Sequence, residues 1–189
     1  MWRWSMPVVA DKRLVVAIFI FGLLLGTTLG IVYGRYSESY LQPSPAPTYD
    51  VYFSPKGGCA DAVLYWIGRA NQSIHVLMFI FTLDSIADAL ISAHNRGVGV
   101  KVVLDKSQSY SQFAVLKAAG IEVRNDTNWE GIMHNKVAIV DNTTVITGSF
   151  NWTGTAENNN NENLIVIHSV EVASRYELEF QRIWNQSQG

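Results

Sequence analysis

Leu14 to Tyr33 sets the first limit on how this chain folds, because those twenty consecutive residues carry no charge. As a helix the run is about 30 Å long, which matches the hydrocarbon core of a bilayer. It reads as a membrane anchor at 14–34 behind a cytoplasmic N-terminus at 1–13. The competing reading is a secretory signal, whose apolar core is shorter, about 7–15 residues, and ends in a small-x-small cleavage site. Thr27 to Arg35 offers no such site. Arg3, Lys12 and Arg13 precede the run and only Arg35 closely follows it. That bias places the rest of the chain outside the cytoplasm, membrane-anchored, or secreted or periplasmic if the segment is cleaved. Gly22, Gly26, Gly30 and Gly34 recur at every fourth position, a spacing that lets two membrane helices approach closely.

Residues 35–48 carry Pro43, Pro45 and Pro47 among small residues and read as an extended, semi-stiff linker. Residues 49–189 then alternate short β-branched runs with amphipathic stretches, the pattern of an α/β domain. Strands are expected at Tyr49–Ser54, Ser73–Phe81, Val100–Leu104, Ile121–Arg124, Val137–Val140, from Val145 onward, and Asn163–Ile167. Helices are expected after Gly58, from Ser85 with Asp88 as a capping box, around Leu116, and after Ser169. No internal repeat is present.

The stretch from His134 to Asn151 carries the chemistry. Val137 to Val140 reads as a strand buried on both faces, and alternation places His134 and Lys136 on one side of it. Asp141 has the opposite parity and reads as a structural group bonding the turn or neighbouring backbone. A polar turn and a second strand follow, ending at Gly148, which lets a ligand approach the main chain, and at Ser149 and Asn151, which share a face. One imidazole, one ammonium, one hydroxyl and one carboxamide therefore converge, a set suited to gripping and attacking a phosphate.

The spacing H-x-K-x4-D-x6-G-S-x-N, filled by His134, Lys136, Asp141, Gly148, Ser149 and Asn151, resembles the signature of the phospholipase D superfamily. It is most similar to the small single-motif members, metal-independent nucleases that work as homodimers. The resemblance covers Asp50 to Gln186. It implies a mixed central β-sheet flanked by helices, no cofactor and no metal. It also implies an acidic residue at about the distance of Glu162 after the motif, where a carboxylate bonded to the histidine Nδ1 fixes the tautomer. Glu162 as a solvated loop residue is the alternative.

Phosphodiester hydrolysis needs a nucleophile, charge stabilisation and a proton for the leaving alkoxide. His134 supplies the first through a phosphohistidine, and Lys136, Ser149 and Asn151 supply the second as phosphate-binding donors. His134 cannot also give the third while bonded to phosphorus. With one motif per chain, the economical source is His134 of the partner subunit in a homodimer.

Substrate class is less constrained. Residues 36–189 hold ten Lys and Arg against fifteen Asp and Glu, which is not the broad basic footprint of a tight nucleic-acid binder, so a nuclease needs a local positive groove. Trp129 and Tyr110 offer stacking surfaces for DNA or RNA bases. The anchor favours the alternative, a phospholipid hydrolase acting on cardiolipin-like lipids at the membrane surface. A non-catalytic membrane scaffold has no need of His134 and Lys136 together. The single cysteine, Cys59, excludes an internal disulfide and reads as a buried apolar residue. His75, His94 and His168 lack metal-ligand spacing.

Overall fold

The computed structural model describes residues 11–41, 46–108, 112–127 and 130–189. Tyr110 and Trp129, expected as stacking surfaces, lie outside the described residues, as do Pro43 and Pro45 of the linker. The chain divides into two compact units, Met1–Ser44 and Pro45–Gly189.

The first unit contains one helix, α1 (Lys12–Leu41). Its span Lys12–Tyr36 has a mean hydropathy of 2.6, is long enough to cross a membrane and has nothing buried against protein. The hydroxyls of Thr27 and Thr28 fold back onto the carbonyls of Leu23, Leu24 and Leu25 at 2.9–3.0 Å, so both are satisfied within the helix. The helix overruns the expected boundary: residues 35–41 are helical, not extended. No Gly or Pro separates Arg35 from Leu41, and the first helix-breaking residue, Pro43, comes two positions later.

The second unit runs β1 (Thr48–Ser54), α2 (Cys59–Arg69), β2 (Ser73–Met78), α3 (Asp84–Asn95), β3 (Gly99–Leu104), α4 (Phe113–Ala118), β4 (Glu122–Asn125), β5 (Lys136–Val140), β6 (Thr144–Gly148), α5 (Gly154–Asn158), β7 (Glu162–His168) and α6 (Val170–Gln186). The seven strands form one mixed sheet in the order β1-β7-β6-β5-β2-β3-β4. The pairs β2–β3 and β3–β4 are parallel and the other four are antiparallel. The parallel pairs are joined through α3 and α4, because a parallel return needs a crossover.

Helices lie on both faces. Ile67 of α2, Ile86 and Leu90 of α3, and Leu116 of α4 pack in one core with Val76, Val102, Ala138, Ile146 and Val166 of the sheet. On the opposite face Ala173, Phe180, Ile183 and Trp184 of α6 pack on Leu77, Val103, Val137, Ile139 and Val145. The central strand β5 is buried along its whole length, as a short β-branched run requires. Ser169 caps α6 by accepting from Val172 N–H at 3.3 Å.

Three elements differ from the sequence expectation. Strand β2 stops at Met78, opposite Lys136 at the start of β5, and the residues beyond it turn to the loops of the site. Helix α3 begins one residue before Ser85, with Leu83 at the N-cap and no side-chain cap bond, so the Ser85–Asp88 capping box does not form. Asp84 in its first turn instead accepts from Gln112 Nε2 at 2.8 Å. Helix α5 was not expected at all; five residues are too few to show a helical period, and its signal is Thr153, whose Oγ1 accepts from Ala156 N–H at 3.1 Å.

Asp141 and Asn142 take left-handed backbone, with φ of 52° and 53°, and turn β5 into β6. The Asp141 carboxylate points back and accepts from the backbone N–H groups of Asn71, Gln72 and Ser73 at 2.7–3.2 Å, fastening the hairpin to the start of β2. Partial burial raises its pKa, and the three N–H bonds more than offset this, leaving it below the usual carboxylate range. A lowered folded pKa means a stabilising contribution that is complete above the unfolded value, about 3.9, and is lost as pH falls through the folded one. Asp141→Asn should lower the melting temperature at pH 7, and the gap from wild type should narrow below about pH 4 in thermal melts.

Candidate active site

The strand ends that stop short at Met78 and Lys136 bring the motif together. His134 lies exposed just before β5, and Lys136, the first residue of β5, is only 8% exposed. Its Nζ donates to the His134 carbonyl at 2.8 Å and sits 4.8 Å from the ring centroid of Phe79. The same ring meets the His134 imidazole at 4.5 Å between centroids. Phe79 thus touches both residues, one by cation–π attraction and one by tilted ring packing. Burial lowers the pKa of Lys136, and the charge of Glu162 opposes that shift. Phe79 was hidden from sequence reasoning inside an apolar run counted as core; its position at the end of that strand was the available signal.

Ser149 and Asn151 follow β6. The Asn151 Oδ1 accepts from Ile80 N–H at 3.3 Å, which turns its Nδ2 into the remaining donor. The Ser149 hydroxyl donates to Glu162 Oε2 at 2.6 Å and accepts from Asn163 N–H at 3.1 Å. Glu162 also accepts from Asn160 Nδ2 at 3.1 Å. Within one chain, then, Glu162 holds Ser149 and Asn160 and makes no hydrogen bond to His134, and the Ser149 proton is committed to Glu162. Gly148, with φ of 145°, is needed for a different reason from the one expected. A Cβ there would stand 2.3 Å from the Asn163 carbonyl oxygen, so the space is filled by β7 and not kept for a ligand.

A second residue missed by sequence reasoning is Asp105, at the end of β3 and only 1% exposed. Its Oδ2 accepts from Met133 N–H, the residue before His134, at 2.7 Å, and its Oδ1 accepts from the N–H of Ser107 at 2.9 Å and from the Ser107 hydroxyl. Burial raises its pKa, and the bonds from Ser107 and Met133 bring it below the usual carboxylate value. A buried carboxylate therefore fixes the backbone from which the imidazole projects.

Two of the other histidines have carboxylate partners. His75 is bonded to Glu177 at 2.8 Å and stacked on Phe180, and His168 sits against Asp50 and the Trp66 ring. Cys59 is fully buried, and burial pushes its thiol up to about 11. Among the described residues, no three His, Cys, Asp or Glu side chains are grouped to hold a metal ion.

Fold and geometry together define an α/β domain that gathers one histidine–lysine–asparagine set at the ends of adjacent strands of a mixed sheet. The chain belongs to the phospholipase D superfamily: the family described as "Cardiolipin synthase, PLD-like domain" matches residues 63–184. A Rickettsia bellii protein named phospholipase D is 36% identical over 176 residues, covering 84% of this chain and 87% of that one. The mitochondrial cardiolipin hydrolase of Xenopus tropicalis is 37% identical over 145 residues, 75% of this chain and 65% of the relative, just under two thirds of its length. Among solved structures, the phospholipase D family member Nuc from Salmonella typhimurium is 38% identical, with a TM-score of 0.70 over 76% of this chain and 97% of that one. NucT from Helicobacter pylori, 23% identical with a TM-score of 0.71, shares the fold.

Asp105→Ala should lower kcat for bis(p-nitrophenyl) phosphate by about 10²-fold, the cost of a small misplacement of a reacting group, with a much smaller change in KM. Asp105→Asn, which keeps one acceptor oxygen, should recover part of it. Steady-state kinetics beside a thermal melt separates this from simple loss of fold.

Proposed function

We propose that the protein is a metal-independent phosphodiesterase, acting as a non-specific endonuclease on DNA or RNA at an active site shared by two chains. The observation that carries this reading is the trio of His134, Lys136 and Asn151 at one end of the central strands. His134 attacks phosphorus and forms a phosphohistidine while Lys136 and Asn151 stabilise the phosphoryl oxygens. The departing alkoxide takes its proton from His134 of the partner subunit, which then removes a proton from the water that cleaves the P–N bond. Each step conserves its protons only if one imidazole is bonded to phosphorus while another moves the proton.

Two features support a homodimer. Among the described residues one chain brings a single imidazole to the site, and the Glu162 carboxylate makes no bond to it, which leaves Glu162 available to an imidazole arriving from across a two-fold axis. The face of the sheet that carries α6 is also bare at its other end. There Tyr49, Val51 and Phe53 of β1 are 48–66% exposed beside Ile165 and Ile167 of β7. Apolar strips of this kind mark interfaces more often than solvent-facing surface. The nuclease reading is supported by the likeness to Nuc over nearly all of its length.

The second reading, a cardiolipin-like phospholipid hydrolase, is supported by relatives named cardiolipin hydrolase and phospholipase D and by α1. In either case α1 serves as a single-pass anchor with the second unit outside the cytoplasm, or as a signal whose removal releases it.

An equal mixture of wild-type and His134→Ala chains, after subunit exchange, should keep about one quarter of wild-type activity if the site is shared, since only wild-type pairs work. Retention of one half would mean independent sites and would end the shared-site reading. Parallel assays on plasmid DNA, RNA and cardiolipin vesicles decide the substrate class. Activity should persist in EDTA; complete loss with recovery on adding a divalent ion would refute the mechanism.

A further inference from the structure

Beside His134, against helix α6, lies a half-open cavity of about 100 Å³ whose walls include His134, Asn135, Asp126, Glu179, Arg182 and Gln186. Helix α6 supplies three of these at positions 179, 182 and 186, spaced to share one helical face. The polar groups are linked to one another. Arg182 donates from Nε and Nη2 to both oxygens of Glu179 at 2.8 and 2.7 Å, and from Nη1 to Gln186 Oε1 at 3.2 Å. Gln186 Nε2 donates to Asp126 Oδ1 at 3.4 Å. Asp126 is 1% exposed, so its carboxylate is a deep wall of the site.

This cavity is one wall of the catalytic histidine and shares nothing else with the phosphate-binding set. Its chemistry excludes two occupants. Two carboxylates against one guanidinium leave an excess of negative charge, which repels a second phosphate. Walls that are polar apart from Ile132, Met133 and Ile183, and a volume well below the usual range of about 300–1,000 Å³, exclude an acyl chain. At about 30 Å³ per water, the space matches a few waters, or one sugar-sized group that donates to carboxylates and accepts from an amide or guanidinium.

We infer that this cavity receives the leaving alcohol of the phosphodiester, namely the sugar of the departing nucleoside, with Arg182 and Gln186 as specificity-determining residues. The inference rests on the nuclease reading above and narrows it. The sugar hydroxyls and ring oxygen take the places of the waters, donating to Glu179 and Asp126 and accepting from Arg182 and Gln186. The cavity used is the one beside the His134 that donates the proton, so the ester oxygen lies on the far side of phosphorus from the attacking His134 of the partner subunit. A glycerol headgroup presents similar hydroxyls, so the test includes a lipid arm.

The experiment uses the full chain in detergent, as wild type and as the double variant Arg182→Ala with Gln186→Ala, both exposed positions whose truncation leaves the core intact. Rates are measured on a dinucleoside monophosphate, on bis(p-nitrophenyl) phosphate, which carries no sugar, and on phosphatidylglycerol vesicles. Arg175→Ala, at an exposed pair with Glu171, serves as the control for loss of surface charge. The expected result is a fall in kcat/KM on the dinucleotide of about ten-fold or more, the effect of one charge-assisted hydrogen bond, at least several times larger than the fall on bis(p-nitrophenyl) phosphate. Equal losses on the two substrates, or no loss on the dinucleotide, overturn the inference while leaving the nuclease reading standing. A loss confined to phosphatidylglycerol reassigns the cavity to a lipid headgroup and overturns it too. Wild type inactive on the dinucleotide yet active on vesicles would sink the nuclease reading itself, and the inference with it.

Discussion

An ammonium group almost out of water at the first residue of β5 is the constraint on which the site depends. Burying a charge costs several kcal/mol unless something nearby replaces its hydration. Lys136 has three replacements: the His134 carbonyl at 2.8 Å, the face of Phe79, and the field of Glu162. Each of them fixes something else. The carbonyl bond curls the chain so that the imidazole projects outward, the aromatic face is shared with that imidazole, and Glu162 orders Ser149 at the end of β6. A group only partly compensated by its protein neighbours has most to gain from an arriving anion, and phosphate oxygens are the natural complement.

The rest of the domain keeps this arrangement still, and it does so mainly with carboxylates bonded to backbone N–H groups. Asp141 ties the β5–β6 hairpin to β2 at the end far from the site, and Asp105 ties Met133 to the end of β3 at the near end. The two aspartates lie at opposite ends of the same central strands. Between them β5 is fully buried, so neither end can slide without breaking register with β2 and β6. Asn151 completes the frame by accepting from Ile80 beyond the end of β2.

This division explains what was legible in the sequence. Parity along β5 groups His134 with Lys136, and Ser149 and Asn151 lie just past the end of β6, the next strand after a short turn, so nearness in sequence is enough to bring the two pairs together. The same parity set Asp141 apart, and the structure points its carboxylate away toward residues 71–73. Phe79 and Asp105 come from β2 and β3, which reach the site only through long-range pairing, and on paper they are a core aromatic and a loop acid. Glu162 was assigned a histidine partner by resemblance, but the residue that neighbours it in one chain is Ser149, across the β6–β7 ladder. Gly148 looked like room for a ligand because a missing Cβ says only that something comes close; the Asn163 carbonyl is that something. The α/β alternation was readable from short apolar runs, while the overrun of α1 and the existence of α5 turn on ends and lengths that periodicity resolves poorly.

The charge balance then bears on how such a site meets a polyanion. The second unit has a net negative charge, so long-range attraction brings little nucleic acid to it, and at physiological salt that attraction fades within about 8 Å. What remains is local: a lysine in a low-dielectric position beside donors already aimed by the backbone. Such donors need no reorganisation when charge develops on the phosphoryl oxygens, which is where preorganised electrostatics contributes most. In the shared-site reading a second chain adds another ammonium to the same few ångströms, and the positive groove that the composition lacks is made by assembly. If the cavity beside His134 takes the leaving alcohol, as inferred above, its opposite sign keeps the phosphate on the lysine side.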